Sequence, residues 1–254
     1  MRKIVSIAYY TFIESVRNKV FYVLVFFGAV IVLASLLLAA LGGEQPQRIL
    51  LDVGLNAIEF FALLTIGFSA VTLVLEEMES KTIYLVLTRP VSRVTYLVGR
   101  YLGLLAAVYC GMLLMAVMHV ALLKLNGWDF AMRYPLAILL SAGKIAVIGS
   151  LSLFFSLFST SAVSSISFTV FFWVLGHFSE EISFLSSKLQ SIIPKLVLKA
   201  VYYLVPNLQY FNLRDFWEVP NIAGPWMFIS FGYGLAYSAV FIGLSLWIFT
   251  RKEF

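Results

Sequence analysis

The sequence predicts an all-α polytopic membrane protein: six transmembrane helices, an N-terminal amphipathic elbow helix, and an outer interfacial or re-entrant helix between spans five and six. Three observations lead there. Of 254 residues, 61% are hydrophobic and 12% charged, where a soluble domain carries about 25% charged residues. Mean hydropathy is +0.95. Apolar runs of about 20 residues, long enough to cross a bilayer as a helix, recur along the chain. This composition excludes a water-soluble globular domain, a disordered chain and a disulfide scaffold. Barrel strands alternate over about ten residues, whereas these runs are continuously apolar. The single cysteine, Cys110, rules out an intrachain disulfide and a Cys-based zinc motif.

The apolar runs are residues 20–41, 55–75, 101–123, 135–157, 162–178 and 226–249. The fifth is short and is expected to begin a turn earlier, near Ser159. Six spans put both termini on one side. With the N-terminus inside, the cytoplasmic segments hold more Lys and Arg than the longer outer segments, which is the positive-inside bias. The net charge of +5 is thereby topological and does not point to nucleic acid. A cleavable signal is not expected, because the first run is too long for one and a helical pattern precedes it. Residues 1–254 read as a single transmembrane domain.

Residues 1–19 form the elbow. Lys3, Ser6, Tyr10, Glu14 and Arg17 recur at helical spacing, and Val5, Ala8, Phe12 and Val16 do so on another side. Such a helix lies in the membrane interface rather than crossing it. The connection 76–100 is the longest on the cytoplasmic side. It opens with Glu76, Glu77 and Glu79, continues through a short helix-compatible run with Ile83 and Leu87 on one face, and is broken by Pro90. Ser92 is placed to cap the third span. Arg89, Arg93 and Arg100 fall at the membrane edge, where anionic headgroups suit them. On the outer side, 179–225 is too long for a hairpin, and 188–206 has apolar residues at helical spacing.

Four of these pieces, taken in order, resemble the ABC-2 type ABC transporter permeases. They are Thr11-Phe12-Ile13-Glu14-Ser15-Val16-Arg17-Asn18-Lys19-Val20, Glu77-Met78-Glu79-Ser80-Lys81-Thr82-Ile83-Tyr84-Leu85-Val86-Leu87-Thr88-Arg89-Pro90-Val91-Ser92-Arg93, Gly176-His177-Phe178-Ser179-Glu180, and Tyr203-Leu204-Val205-Pro206-Asn207-Leu208. Within that family the stretches look most like the multicopper-enzyme maturation permease branch. Lys81 stands where many members carry Gly. The resemblance implies a half-transporter that pairs with a second permease half, as a homodimer or a heterodimer. Two cytoplasmic ABC ATPase subunits would carry ATP and Mg. They would contact the chain through the elbow (Glu14, Arg17) and through Glu76, Glu77, Glu79, Lys81, Arg89 and Arg93. The chain itself is expected to be no enzyme and to bind no cofactor. Gly143-Lys144 lacks the upstream Gly of a phosphate-binding loop and is followed by Ile145. A bacterial or archaeal cytoplasmic membrane is the expected location.

Ionisable groups inside a span each need a partner or a purpose. Glu59 and Lys144 lie about 24 and 20 Å above the cytoplasmic ends of spans two and four at 1.5 Å per residue. Similar depth and opposite charge predict an intramembrane pair. Met112, Met115 and His119 share one side of span three and have the soft donors that suit Cu(I); packing is the plainer reading. Gly232, Ala236, Ala239 and Gly243 make a small-residue stripe on span six, for packing within the chain or against another subunit. Two other functions fit parts of the sequence. One is a structural anchor of an envelope assembly. The other is an intramembrane protease, in which Glu76 and Glu77 would be active. It is disfavoured because His119 and His177 lie about 25 Å away in depth, beyond sharing one metal ion.

Overall fold

The computed structural model describes residues 2–42, 46–79, 92–127, 133–159, 161–212 and 223–251. Among them every regular element is helical: α1 (Arg2–Arg17), α2 (Lys19–Leu41), α3 (Pro46–Glu79), α4 (Arg93–Leu125), α5 (Arg133–Phe158), α6 (Ala162–His177), α7 (Ser179–Lys188), α8 (Ile192–Leu204), a 3₁₀ turn at Leu208–Phe211, and α9 (Ala223–Arg251). Five of these helices (α2, α3, α4, α5 and α9) are long and apolar enough to cross a membrane. A sixth crossing is available if α6 and α7, bent by 64° at their junction, count as one span.

Local chemistry sets most boundaries. Pro46 is the first residue of α3, and Pro135, Pro194 and Pro225 fall in the first turns of α5, α8 and α9. There a missing N–H costs nothing, because those donors have no partner within the helix. Asn18 separates α1 from α2, its side chain accepting from Val20 N at 2.9 Å. Ser92 caps α4 through Thr95 N at 3.2 Å. Two boundaries differ from the sequence expectation. α3 starts nine residues before the second apolar run, since Arg48 and Asp52 lower the hydropathy of a turn that is still helical. α6 does not begin near Ser159: Ser161 occupies the N-cap position, and Ser159 turns its hydroxyl back to the Ser161 carbonyl.

The interior is built by α3, α4 and α5, while α2 and α9 turn most of their surface outward. Ile58, Leu63 and Ile66 from α3 meet Leu104, Met112 and Met115 from α4, and Leu140, Ile145 and Ile148 from α5, all essentially buried. α1 lies along α4, and α9 along α5. Its packing face is Ile4, Ile7, Ala8, Thr11 and Ser15. That face is about a quarter turn from the apolar side that periodicity picks out, leaving Val5 66% exposed. α1 thus has three sides: one on the protein, one apolar and outward, one polar.

Close approach of α1 depends on two glycines of α4. A Cβ at Gly99 would sit 2.8 Å from Ile7, and one at Gly103 would sit 2.5 Å from both the Ala8 carbonyl oxygen and Thr11. Two helical turns further, Gly111 meets Val25 and Phe21 of α2. The stripe on α9 singled out by sequence behaves otherwise. Gly232, Ala236, Ala239 and Gly243 are all exposed, and nothing lies within 4 Å of a Cβ built at Gly232 or Gly243.

Candidate functional site

On α3, Arg48, Asp52, Asn56 and Glu59 follow one another at intervals of four, four and three residues, which puts them on one face. This face descends into a cavity of about 560 Å³. Arg48 and Asp52, ion-paired at 3.8 Å, are its most exposed charges. Lys144 of α5 and His177 of α6 close it on the opposite side, with Phe60, Trp173 and Asn212 completing the wall.

At the bottom, Lys144 Nζ donates to Glu59 Oε1 at 2.7 Å, with the two side chains 4% and 6% exposed. Glu59 is thirteen residues from either end of the Pro46–Thr72 segment, so the pair sits at the middle of that candidate span. His177 Nε2 is 3.2 Å from Lys144 Nζ and 3.4 Å from Glu59 Oε1. His177 Nδ1 lies 2.9 Å from the Trp173 carbonyl. A carbonyl only accepts, so Nδ1 carries a hydrogen, and in the neutral ring Nε2 accepts from the Lys144 ammonium. A buried ammonium and carboxylate are tolerable in this setting because each has a counter-charge at hydrogen-bond distance.

α6 ends at this level. The His177 carbonyl, past the last full turn, accepts from Gln209 Nε2 at 2.6 Å. The chain leaves through α7, returns through α8, and packs back at the height of the ion pair. Leu208 and the Pro206 carbonyl meet Gly176, while Phe211 wedges between Gly143 and Gly234. Three helices omit a Cβ where this segment enters. Non-helical backbone inside a bundle is tolerated where protein buries it or where it lines a cavity. Leu208 and Phe211 are buried and Asn212 lines the cavity, so both conditions hold.

Of the residues singled out by sequence, Glu59 and Lys144 lie together. His177, Trp173 and Asn212, and the outer members Arg48, Asp52 and Asn56, were missed. The 48-52-56-59 spacing was a readable signal; the arrival of α6 and residue 212 was not. Met112, Met115 and His119 lie in the core. His119 Nε2 is 3.1 Å from the Leu50 carbonyl and Nδ1 is 2.9 Å from the Tyr134 hydroxyl, so both ring nitrogens serve contacts to α3 and α5. A Cβ at Gly54 would run into that ring. Gly54→Ala is therefore expected to destabilise the protein by about 1–3 kcal/mol through overpacking, read as a lowered Tm. Gly67→Ala, on the same helix with open space around its Cβ, is expected to leave Tm unchanged or raise it.

At the other end of the bundle, Glu14 of α1 accepts from Arg100 Nη1 at 2.5 Å, and the same nitrogen reaches Thr11 at 3.3 Å. Arg93 Nη1 donates to the Phe249 and Thr250 carbonyls at 2.6 and 3.2 Å, and its guanidinium lies over the Phe249 ring. These carbonyls belong to the last turn of α9, where a cation complements the helix dipole. Arg17 ends α1 and is exposed. Glu76, Glu77 and Glu79 fall in the last turns of α3, but their side chains, with Lys81 and Arg89, lie outside the described residues.

Apolar helices long enough to cross a membrane, packed around a buried ion pair at the foot of a polar cavity, define a multi-pass membrane protein. The family model for ABC-2 family transporter proteins matches residues 5–254, and the chain belongs to that family. No curated protein matches it. It is a multi-pass transport permease, of a family that associates with ABC ATPase partners.

Proposed function

We propose that the chain is the transmembrane half of an ATP-driven exporter, working with a second permease half and two cytoplasmic ATPase subunits that hold ATP and Mg. In this reading both termini face the cytoplasm of a bacterial or archaeal cell, α1 is the elbow, segment 76–100 receives the ATPases, and α7–α8 is a re-entrant hairpin on the outer side. The motif resemblance favours the multicopper-enzyme maturation branch. No copper is assigned to the chain itself, given the engaged nitrogens of His119.

The observation that carries this reading is the bracket at the base of α4. Immediately after segment 76–91, Arg93 grips the end of α9 and Arg100 grips α1. A push on that segment is thereby delivered to three helices together. The test is reconstitution with an ABC ATPase, sought first in the adjacent reading frame. ATP hydrolysis that rises with cargo, and loses its link to transport in Arg93→Ala, is the expected result. Solute turnover with no ATPase present, or labelling of residues 80–91 from outside, overturns it.

A further inference from the structure

The cavity between α3, α5 and α6 carries its charges in a particular order. At the mouth, Arg48 and Asp52 sit one turn apart, their side chains 64% and 48% exposed. About 10 Å further along α3, Glu59 faces Lys144 across the floor. Each level thus holds one carboxylate and one cation. An ion of single sign meets one attractive and one repulsive partner at both levels and gains little on balance. A ligand of mixed sign can set each of its charges against a counterpart. The hydrated outer pair exchanges partners easily, whereas the inner pair is sealed and stays as the floor. Trp173 and Phe60, with ring centroids 6.3 Å apart, form an aromatic wall, and such faces attract an ammonium group. The volume falls within the range of small-molecule sites, while so many ionisable side chains disfavour an acyl chain.

We propose that this cavity binds a zwitterion bearing a primary ammonium and a phosphodiester, the chemistry of an ethanolamine phospholipid head or of its soluble glycerol diester. Asp52 takes the ammonium and Arg48 the anionic oxygens at the mouth, while Lys144–Glu59 keeps the floor, beside the Phe60–Trp173 wall, neutral. The inference rests on the permease reading only for the ligand's meaning as cargo; binding itself requires no ATPase.

The experiment titrates the purified full chain, in a maltoside micelle free of phospholipid, with glycerophosphoethanolamine, ethanolamine and dimethyl phosphate, using calorimetry. The zwitterion is expected to bind at least about thirtyfold more tightly than either single-sign probe. Arg48→Gln and Asp52→Asn, both at the exposed mouth and checked for unchanged Tm, each weaken it about tenfold. Dioctanoyl phosphatidylethanolamine separates the two sources. Binding tighter than that of the soluble diester marks a lipid head, and equal binding marks a solute. Equal affinity for ethanolamine or dimethyl phosphate, indifference to both substitutions, or no saturable binding of either zwitterion overturns the proposal. ATP-driven transport without zwitterion binding would sink this inference alone. Zwitterion binding by a chain that engages no ATPase would sink only the permease reading.

Discussion

Lys144→Ala is expected to cost about 3–5 kcal/mol of stability, because it strips the counter-charge from a carboxylate that is almost wholly buried. The measurable result is aggregation or a steep fall in Tm of the purified protein, with transport lost. A Glu59→Gln/Lys144→Met double variant removes both charges while keeping their bulk, and should recover most of the stability. Transport in that double variant decides the role of the pair. If export stays abolished while the fold is restored, the charges serve the cavity. If both return to normal, Glu59 and Lys144 are packing elements and the functional reading of the floor fails.

The second large effect is expected from Gly103→Leu. The first added carbon already falls 2.5 Å from the Ala8 carbonyl oxygen, a backbone atom that can move only with all of α1. Overpacking of this kind ordinarily costs about 1–3 kcal/mol. Here it should lift α1 off α4 and break the Arg100 contacts to Thr11 and Glu14. Limited proteolysis should then cut within residues 2–17 at rates the parent protein does not show. Gly232→Leu is the matched control, since its Cβ would have nothing within 4 Å. Unchanged cleavage in Gly103→Leu would mean that α1 does not depend on this groove.

These two glycines show what was legible in the sequence and what was not. Gly99, Gly103 and Gly111 repeat at four and eight residues, no more conspicuous as a pattern than Gly232, Ala236, Ala239 and Gly243. Which stripe is used depends on the shape of the partner, here Ile7, Ala8 and Thr11, and spacing holds no record of that. Apolar runs marked α2, α4, α5 and α9 to within a few residues, except for the polar first turns of α4. Hydropathy responds to the lipid-facing composition that these helices must have. It missed the first two turns of α3, where Arg48 and Asp52 face the cavity. The fifth run, 162–178, did find the end of α6 at His177 to within one residue, although neither His177 nor Phe178 breaks a helix. That boundary accompanies the bond from Gln209, thirty-two positions away in the chain. In the same way, equal depth placed Glu59 opposite Lys144, but depth alone could not bring His177 to them.

The early end of α6 has an electrical consequence. Filled with water, the cavity would carry the conductivity of one aqueous phase down to about the midplane of the bilayer. A membrane voltage would then fall mainly across the remaining oily seal, where Ile66, Ile148 and Leu151 close the bundle. A unit charge crossing that seal experiences nearly the whole potential, about 2.3 kcal/mol per 100 mV, within roughly half of the usual 30 Å. The local field is correspondingly steeper, and those three side chains stand where an applied voltage exerts its greatest force.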